Sequence, residues 1–179
     1  MKLLRSIRLD PSDTFIFANA AEPGEWAVSG AFVFSDADPG KLEGKARSAF
    51  RGGFLGVQSL GWSTLVQIVE ASEQDRLAAI NALAKQLVAH FGAPGINEAV
   101  AAAEDELAFI ESLCNQPADT LIAVHRSFDD GEIREAFRTL RPKDGPKPLR
   151  VFVFLVVVGV AEPEEKVDLT KLGRGDAKG

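Results

Sequence analysis

Arg134, Arg138 and Arg141 recur at i, i+4 and i+7, one residue behind an Ile133, Phe137 and Leu140 stripe. On a helix this register buries one side and lines its shoulder with guanidinium groups, whose planar N–H pairs suit carboxylates and phosphates. Lys143, Lys147 and Arg150 prolong the basic strip. It could dock a carboxylate-rich ligand, an acidic helix of a partner subunit or a phosphate. The plainer alternative is that Glu132 and Glu135 neutralise part of it and that arginine in a last helical turn only complements the helix dipole. His125 is a second candidate, because it lies beside Arg126 at the end of the apolar run Leu121-Ile122-Ala123-Val124. Trp62 joins it as a candidate lining residue for a ligand pocket between sheet and helices.

Other constellations that could do chemistry are incomplete. Cys114 could act as a nucleophile with His90 or His125 as base, but it closes the apolar face of a helix, where a free thiol behaves as a small hydrophobe. His90 falls in a last helical turn, where a cation suits the dipole. No set of His, Cys and carboxylates has metal-ligand spacing. Glu104, Asp105, Glu106 and Glu111 read as the solvated face of an amphipathic helix. Gly56-Val57-Gln58-Ser59-Leu60-Gly61-Trp62-Ser63 has the glycine spacing of a phosphate-binding loop, yet Trp62 stands where lysine is required and a strand follows instead of a helix. It reads as a turn. No catalytic residue, metal site or cofactor is assigned.

The elements that must position these residues follow from periodicity. Phe15-Ile16-Phe17, Phe32-Val33-Phe34 and Phe152-Val153-Phe154 hold half of the twelve Phe. Read as strands, they place two rings each on one face, merging into a slab that floors the core. Strands are expected over 3–9, 14–18, 26–34, 62–70, 121–128 and 149–160. Gly30 marks a bulge or a close backbone approach. Asp38-Pro39 starts a short helix ending near Gly52-Gly53. Ser72 and Asp75 form a capping box for a helix carrying Leu77, Ile80, Leu83, Ala84, Leu87, Val88 and Phe91, stopped by Gly92 and Pro94. A second helix spans Asn97 to Cys114 and packs antiparallel to the first. Asp129 caps a third, which carries the arginines. The sum is a single α+β domain over residues 1–161, with a mostly antiparallel or mixed sheet and amphipathic helices chiefly on one face. Residues 162–179 read as a mobile tail.

Composition narrows the partners. The 179-residue chain carries a formal charge of −6 with 46% apolar residues, which suits one ordinary globular core and opposes attraction to nucleic acid or anionic lipid. A lone cysteine permits no intrachain disulfide. The first residues, Met1 to Arg8, lack the apolar stretch of a signal peptide. The longest apolar run, Val151 to Ala161, falls short of the roughly 20 residues of a membrane helix. A cytoplasmic protein without nucleic-acid or membrane partners is expected.

Lys2-Leu3-Leu4-Arg5-Ser6-Ile7-Arg8-Leu9-Asp10, Gly24-Glu25-Trp26-Ala27-Val28-Ser29-Gly30-Ala31-Phe32 and Phe91-Gly92-Ala93-Pro94 resemble segments of a family of short bacterial cytosolic proteins with no assigned function. The resemblance implies a small domain, carries over no catalytic residue, and links such proteins with accessory proteins encoded beside molybdenum or iron–sulfur oxidoreductases. Two functions are therefore in play. One is a non-catalytic binding or accessory protein, as a homodimer or with a protein partner, using the basic shoulder or an edge strand. The other is a small-molecule enzyme or ligand carrier with a pocket near His125 and Trp62.

Overall fold

The structure, a computed structural model, describes residues 1–142 and 155–157. Its elements are β1 (Lys2–Ile7), α1 (Ser12–Ile16), β2 (Ala27–Val28), α2 (Gly44–Gly52), β3 (Phe54–Gly56), β4 (Trp62–Ser63), β5 (Leu65–Glu70), α3 (Glu73–His90), α4 (Ile96–Leu113), β6 (Leu121–Asp129), β7 (Glu132–Pro142) and β8 (Leu155–Val157), with 3-10 turns at Ala31–Phe34 and Pro39–Lys41. An antiparallel sheet runs in the order β1-β5-β6-β7-β8, and a smaller one in the order β2-β3-β4. The chain thus has an α+β fold.

The long helix α3 forms where its ends can be satisfied. Ser72 Oγ accepts from the Asp75 N–H at 3.1 Å while the Asp75 carboxylate accepts from the Ser72 N–H at 3.0 Å, so Asp replaces the usual Glu of a capping box at the start of α3. Gly92, with φ of +71°, follows the helix end. Ile80, Leu83, Ala84 and Leu87 of α3 meet Ala99, Ala103, Leu107 and Ile110 of α4 in the main core, together with Leu4, Val66, Ile68, Ile122 and Val124 of the large sheet. Arg76 Nε donates to Glu111 Oε1 at 2.6 Å and ties the two helices together. Leu77 and Val88, expected inside, are exposed.

The aromatic slab does not form. Phe15-Ile16-Phe17 lies in and just after α1, leaving Phe15 73% exposed and Phe17 buried, while Phe32-Val33-Phe34 is a 3-10 turn. Gly30 turns the chain out of β2 with φ of +78°, and a Cβ there would stand 2.7 Å from that of Leu55, so the close approach is real and the strand stops. The rings disperse: Phe34 packs with Phe50 and Trp62, and Phe32 with Phe91. The third tripeptide lies outside the described residues, as do Lys143, Lys147, Arg150 and 162–179. The strand expected over 62–70 is broken at Thr64, which donates from its N–H and Oγ1 to the buried Asp13 carboxylate. Asp38 caps the 3-10 turn at Pro39, and α2 begins only at Gly44.

The largest correction concerns residues 132–142. They form no helix but the strand β7, paired with β6 from Asp129↔Glu132 to Leu121↔Leu140. Asp130 and Gly131, with φ of 52° and 79°, make the left-handed pair of a type I′ hairpin turn, whose twist matches the flanking strands.

Candidate functional site

Strand periodicity redistributes the candidate residues. Along β7, Ile133, Glu135, Phe137 and Thr139 take one face, and Arg134, Ala136 and Arg138 the other. Arg134 lies opposite Ser127, Ala136 opposite His125, and Arg138 opposite Ala123. His125, Arg134 and Arg138 are therefore exposed together on one face of the β6–β7 ladder, without the helical shoulder that the sequence suggests. They make no ion pair among the described residues. Arg141 pairs with Val156 of β8, and its side chain lies outside the described residues.

Trp62 is not part of that group. Its ring stacks on Phe34 at 5.3 Å, and Cβ atoms added at Gly30 or Gly53 would press against it at 3.0 and 2.8 Å. It fills a small satellite core with Phe17, Phe34 and Phe50. Between the large sheet and the helices α3 and α4 the space is occupied by core side chains, and Trp62 shares no concavity with His125 among the described residues.

On the inner face the sequence reading missed a buried ionic cluster. Arg126 is 1% exposed, the largest fully buried side chain of the described residues. Its Nε donates to Glu135 Oε1 at 2.7 Å, across the ladder where the two residues are register partners. One terminal nitrogen donates to the carbonyls of Gly53 at 2.7 Å and Phe50 at 3.0 Å, and the other to the Ser29 carbonyl. The guanidinium thus satisfies the end of α2 and the loop at Gly30 at once. Ser29 Oγ donates to Glu135. Burial lowers the Arg126 pKa, and Glu135 opposes that shift. Glu106 of α4 brings a second carboxylate, and its Oε2 is buried without a hydrogen bond among the described residues. Burial first, then the charge of Glu135, pushes its carboxyl up to about 7 against the pull of Arg126.

Outside this cluster lies a concavity of about 310 Å³, where α2 runs along the part of β6 that β5 does not reach. Buried Pro39 and Phe50 line it with exposed Arg47, Arg51, His125 and Phe128. Arg47 and Arg51 stand i, i+4 on α2, so both point from one side of that helix.

The glycine-spaced loop after β3 does cradle an anion, but an internal one. The buried Glu25 carboxylate accepts from the N–H groups of Gln58 at 2.8 Å and Ser59 at 2.9 Å and from the Ser59 hydroxyl. A Cβ at Gly56 would lie 2.3 Å from Glu25 Oε1. The turn reading stands, and the glycines serve close packing. Cys114 is buried, with its thiol pushed up to about 11 chiefly by burial, the opposite of an activated nucleophile. His90 ends α3. Among the described residues no helix is long and apolar enough to cross a membrane.

No curated protein and no solved structure matches the chain. A family model of unknown function matches residues 1–164, nearly the whole chain, and so the chain belongs to that family, DUF6505.

Proposed function

We propose that this is a non-catalytic, cytosolic binding or accessory protein that holds an acidic segment of a protein partner against the β6–β7 face. The observation that carries the reading is the grouping of His125, Arg134 and Arg138, exposed on one face of a rigid ladder and without ion pairs among the described residues, in a chain of formal charge −6. Cations paired internally are committed to structure, as Arg76 and Arg126 are. Unpaired ones on a strand pair hold a fixed spacing for carboxylates, and strand positions i and i+4 lie about 13 Å apart, a span suited to an extended acidic chain.

Fluorescein-labelled poly-L-glutamate is a direct probe. Its anisotropy should report binding at low salt that Arg134→Gln with Arg138→Gln weakens at least about tenfold, since each lost charge-assisted hydrogen bond is worth roughly 1.5 kcal/mol or more. The melting temperature should hold, because both side chains face solvent. Equal affinity in the double variant, or no binding by the parent protein, overturns the proposal.

A further inference from the structure

The concavity between α2 and β6 has a composition that the flat β6–β7 face lacks. Its floor is apolar, with Phe50 4% exposed and Pro39 buried, and Phe128 stands at the rim with 39% of its surface exposed. Its walls carry hydrogen-bond donors from two elements, the Arg47 and Arg51 guanidinium groups of α2 and the His125 imidazole of β6. None of these three side chains makes an ion pair or hydrogen bond among the described residues. Three acids next in sequence or register to its lining are engaged, Asp38 with Lys41 at 3.4 Å, Asp129 with the Ser127 hydroxyl at 3.0 Å and Glu135 with Arg126, whereas Glu43, one turn before Arg47, makes no ion pair among the described residues. At about 310 Å³ the space falls at the small end of the roughly 300–1,000 Å³ typical of ligand sites.

We infer that this concavity is a site for a small ligand in which a phosphate or carboxylate is joined to a planar apolar ring. The anion meets the Arg47 and Arg51 guanidinium groups and the His125 imidazole, and the ring lies over Phe50 within reach of Phe128. Arg126 stiffens the floor: its donors are taken by the Phe50 and Gly53 carbonyls at the end of α2, so the helix that presents the two arginines is fixed to the strand that presents the histidine. The inference goes beyond the acidic-partner reading and shares only His125 with it.

Phenyl phosphate, inorganic phosphate and phenol, each titrated into ¹⁵N-labelled protein, test it. Phenyl phosphate should give saturable amide shifts at Phe50, Arg51, Ser127 and Phe128, with at least about fivefold tighter binding than inorganic phosphate or phenol, because each of those lacks half of the recognition. Arg47→Gln with Arg51→Gln should weaken phenyl phosphate at least about tenfold while leaving the spectrum otherwise folded. Arg134→Gln with Arg138→Gln should change it less than about twofold, so that the pocket and the polyglutamate surface stand or fall separately. Three results overturn the site: absence of saturable shifts at those amides, equal affinity for phosphate and phenyl phosphate, or insensitivity to the Arg47 and Arg51 substitutions.

Discussion

Arg126 shows why a buried charge can be invisible in a pattern and central in a structure. In Leu121-Ile122-Ala123-Val124-His125-Arg126 it reads as the polar end of an apolar strand, yet its alternation places it with Ile122 and Val124 on the inner face. The guanidinium can stay there because its Nε and both terminal nitrogens find acceptors, and because Glu135 supplies a counter-charge at 2.7 Å. Glu106 has no such provision. Its carboxyl keeps its proton up to about pH 7 in the folded protein, against 4.5 for an ordinary glutamate, so between those values the native state binds more protons than the unfolded chain. Stability then falls as pH rises through that window. The charged groups facing Glu106 are Glu135 of β7 and Arg126 of β6, with Asp105 on its own helix. Glu106→Gln should flatten the slope of unfolding free energy between about pH 5 and pH 8, and raise stability at the upper end by on the order of 2 kcal/mol. Urea titrations at several pH values measure this. An unchanged slope would place the titrating group elsewhere.

At the scale of elements, α3, α4 and β6 are legible because propensity and apolar stripes agree with their burial, with a capping box added at the start of α3. The stretch after β6 was not, for a specific reason. Ile133, Phe137 and Leu140 satisfy a helical period, whereas the strand alternation Ile133, Glu135, Phe137, Thr139 is broken by an inward glutamate whose partner is Arg126. Only pairing across the ladder makes that residue acceptable inside. The signal that could have found β7 was local: Asp130-Gly131 between two strand-length runs, a dipeptide that reverses antiparallel chains. The sequence points to His125, Arg134 and Arg138 of the candidate site, but a helical period misplaces the two arginines, and Arg47 and Arg51 carry no distinguishing mark in it. Two glycine substitutions separate the physical causes. Gly131→Ala meets nothing within 4 Å but keeps a φ of +79°, and should cost about 1 kcal/mol. In Gly61→Ala the new methyl lies 2.5 Å from the Ala20 carbonyl. Backbone cannot yield as a side chain does, so this variant should lose more, about 2–3 kcal/mol, with the parallel pairing of Ala20 and Trp62 disturbed. Urea midpoints in the reverse order would refute the assignment of cause.

Across the whole molecule, one cluster of buried residues joins β1, β2, β3, β5, α3, α4 and β6, and Cys114 belongs to it at the end of α4. This gives the chain a built-in probe of its cooperativity. With the thiol pushed up to about 11, only about one molecule in a thousand carries the reactive thiolate at pH 8, and burial blocks access to that fraction. Two routes to modification remain. Fraying of the last turn of α4 would expose the sulfur without disturbing the sheet, and its rate would hardly depend on denaturant. Opening of the shared core would expose it only with much of the molecule, and the logarithm of the rate would rise linearly with urea, with the slope of global unfolding. The contacts favour the second, since Cys114 packs in a core that also holds Leu4, Ile68 and Ile122 from three strands of the large sheet. Iodoacetamide labelling at low urea concentrations should therefore follow the equilibrium unfolding curve, and Glu106→Gln should slow it at pH 8 by the factor by which it stabilises the fold. A labelling rate independent of urea would show that the end of α4 opens alone and that the core is not one cooperative unit.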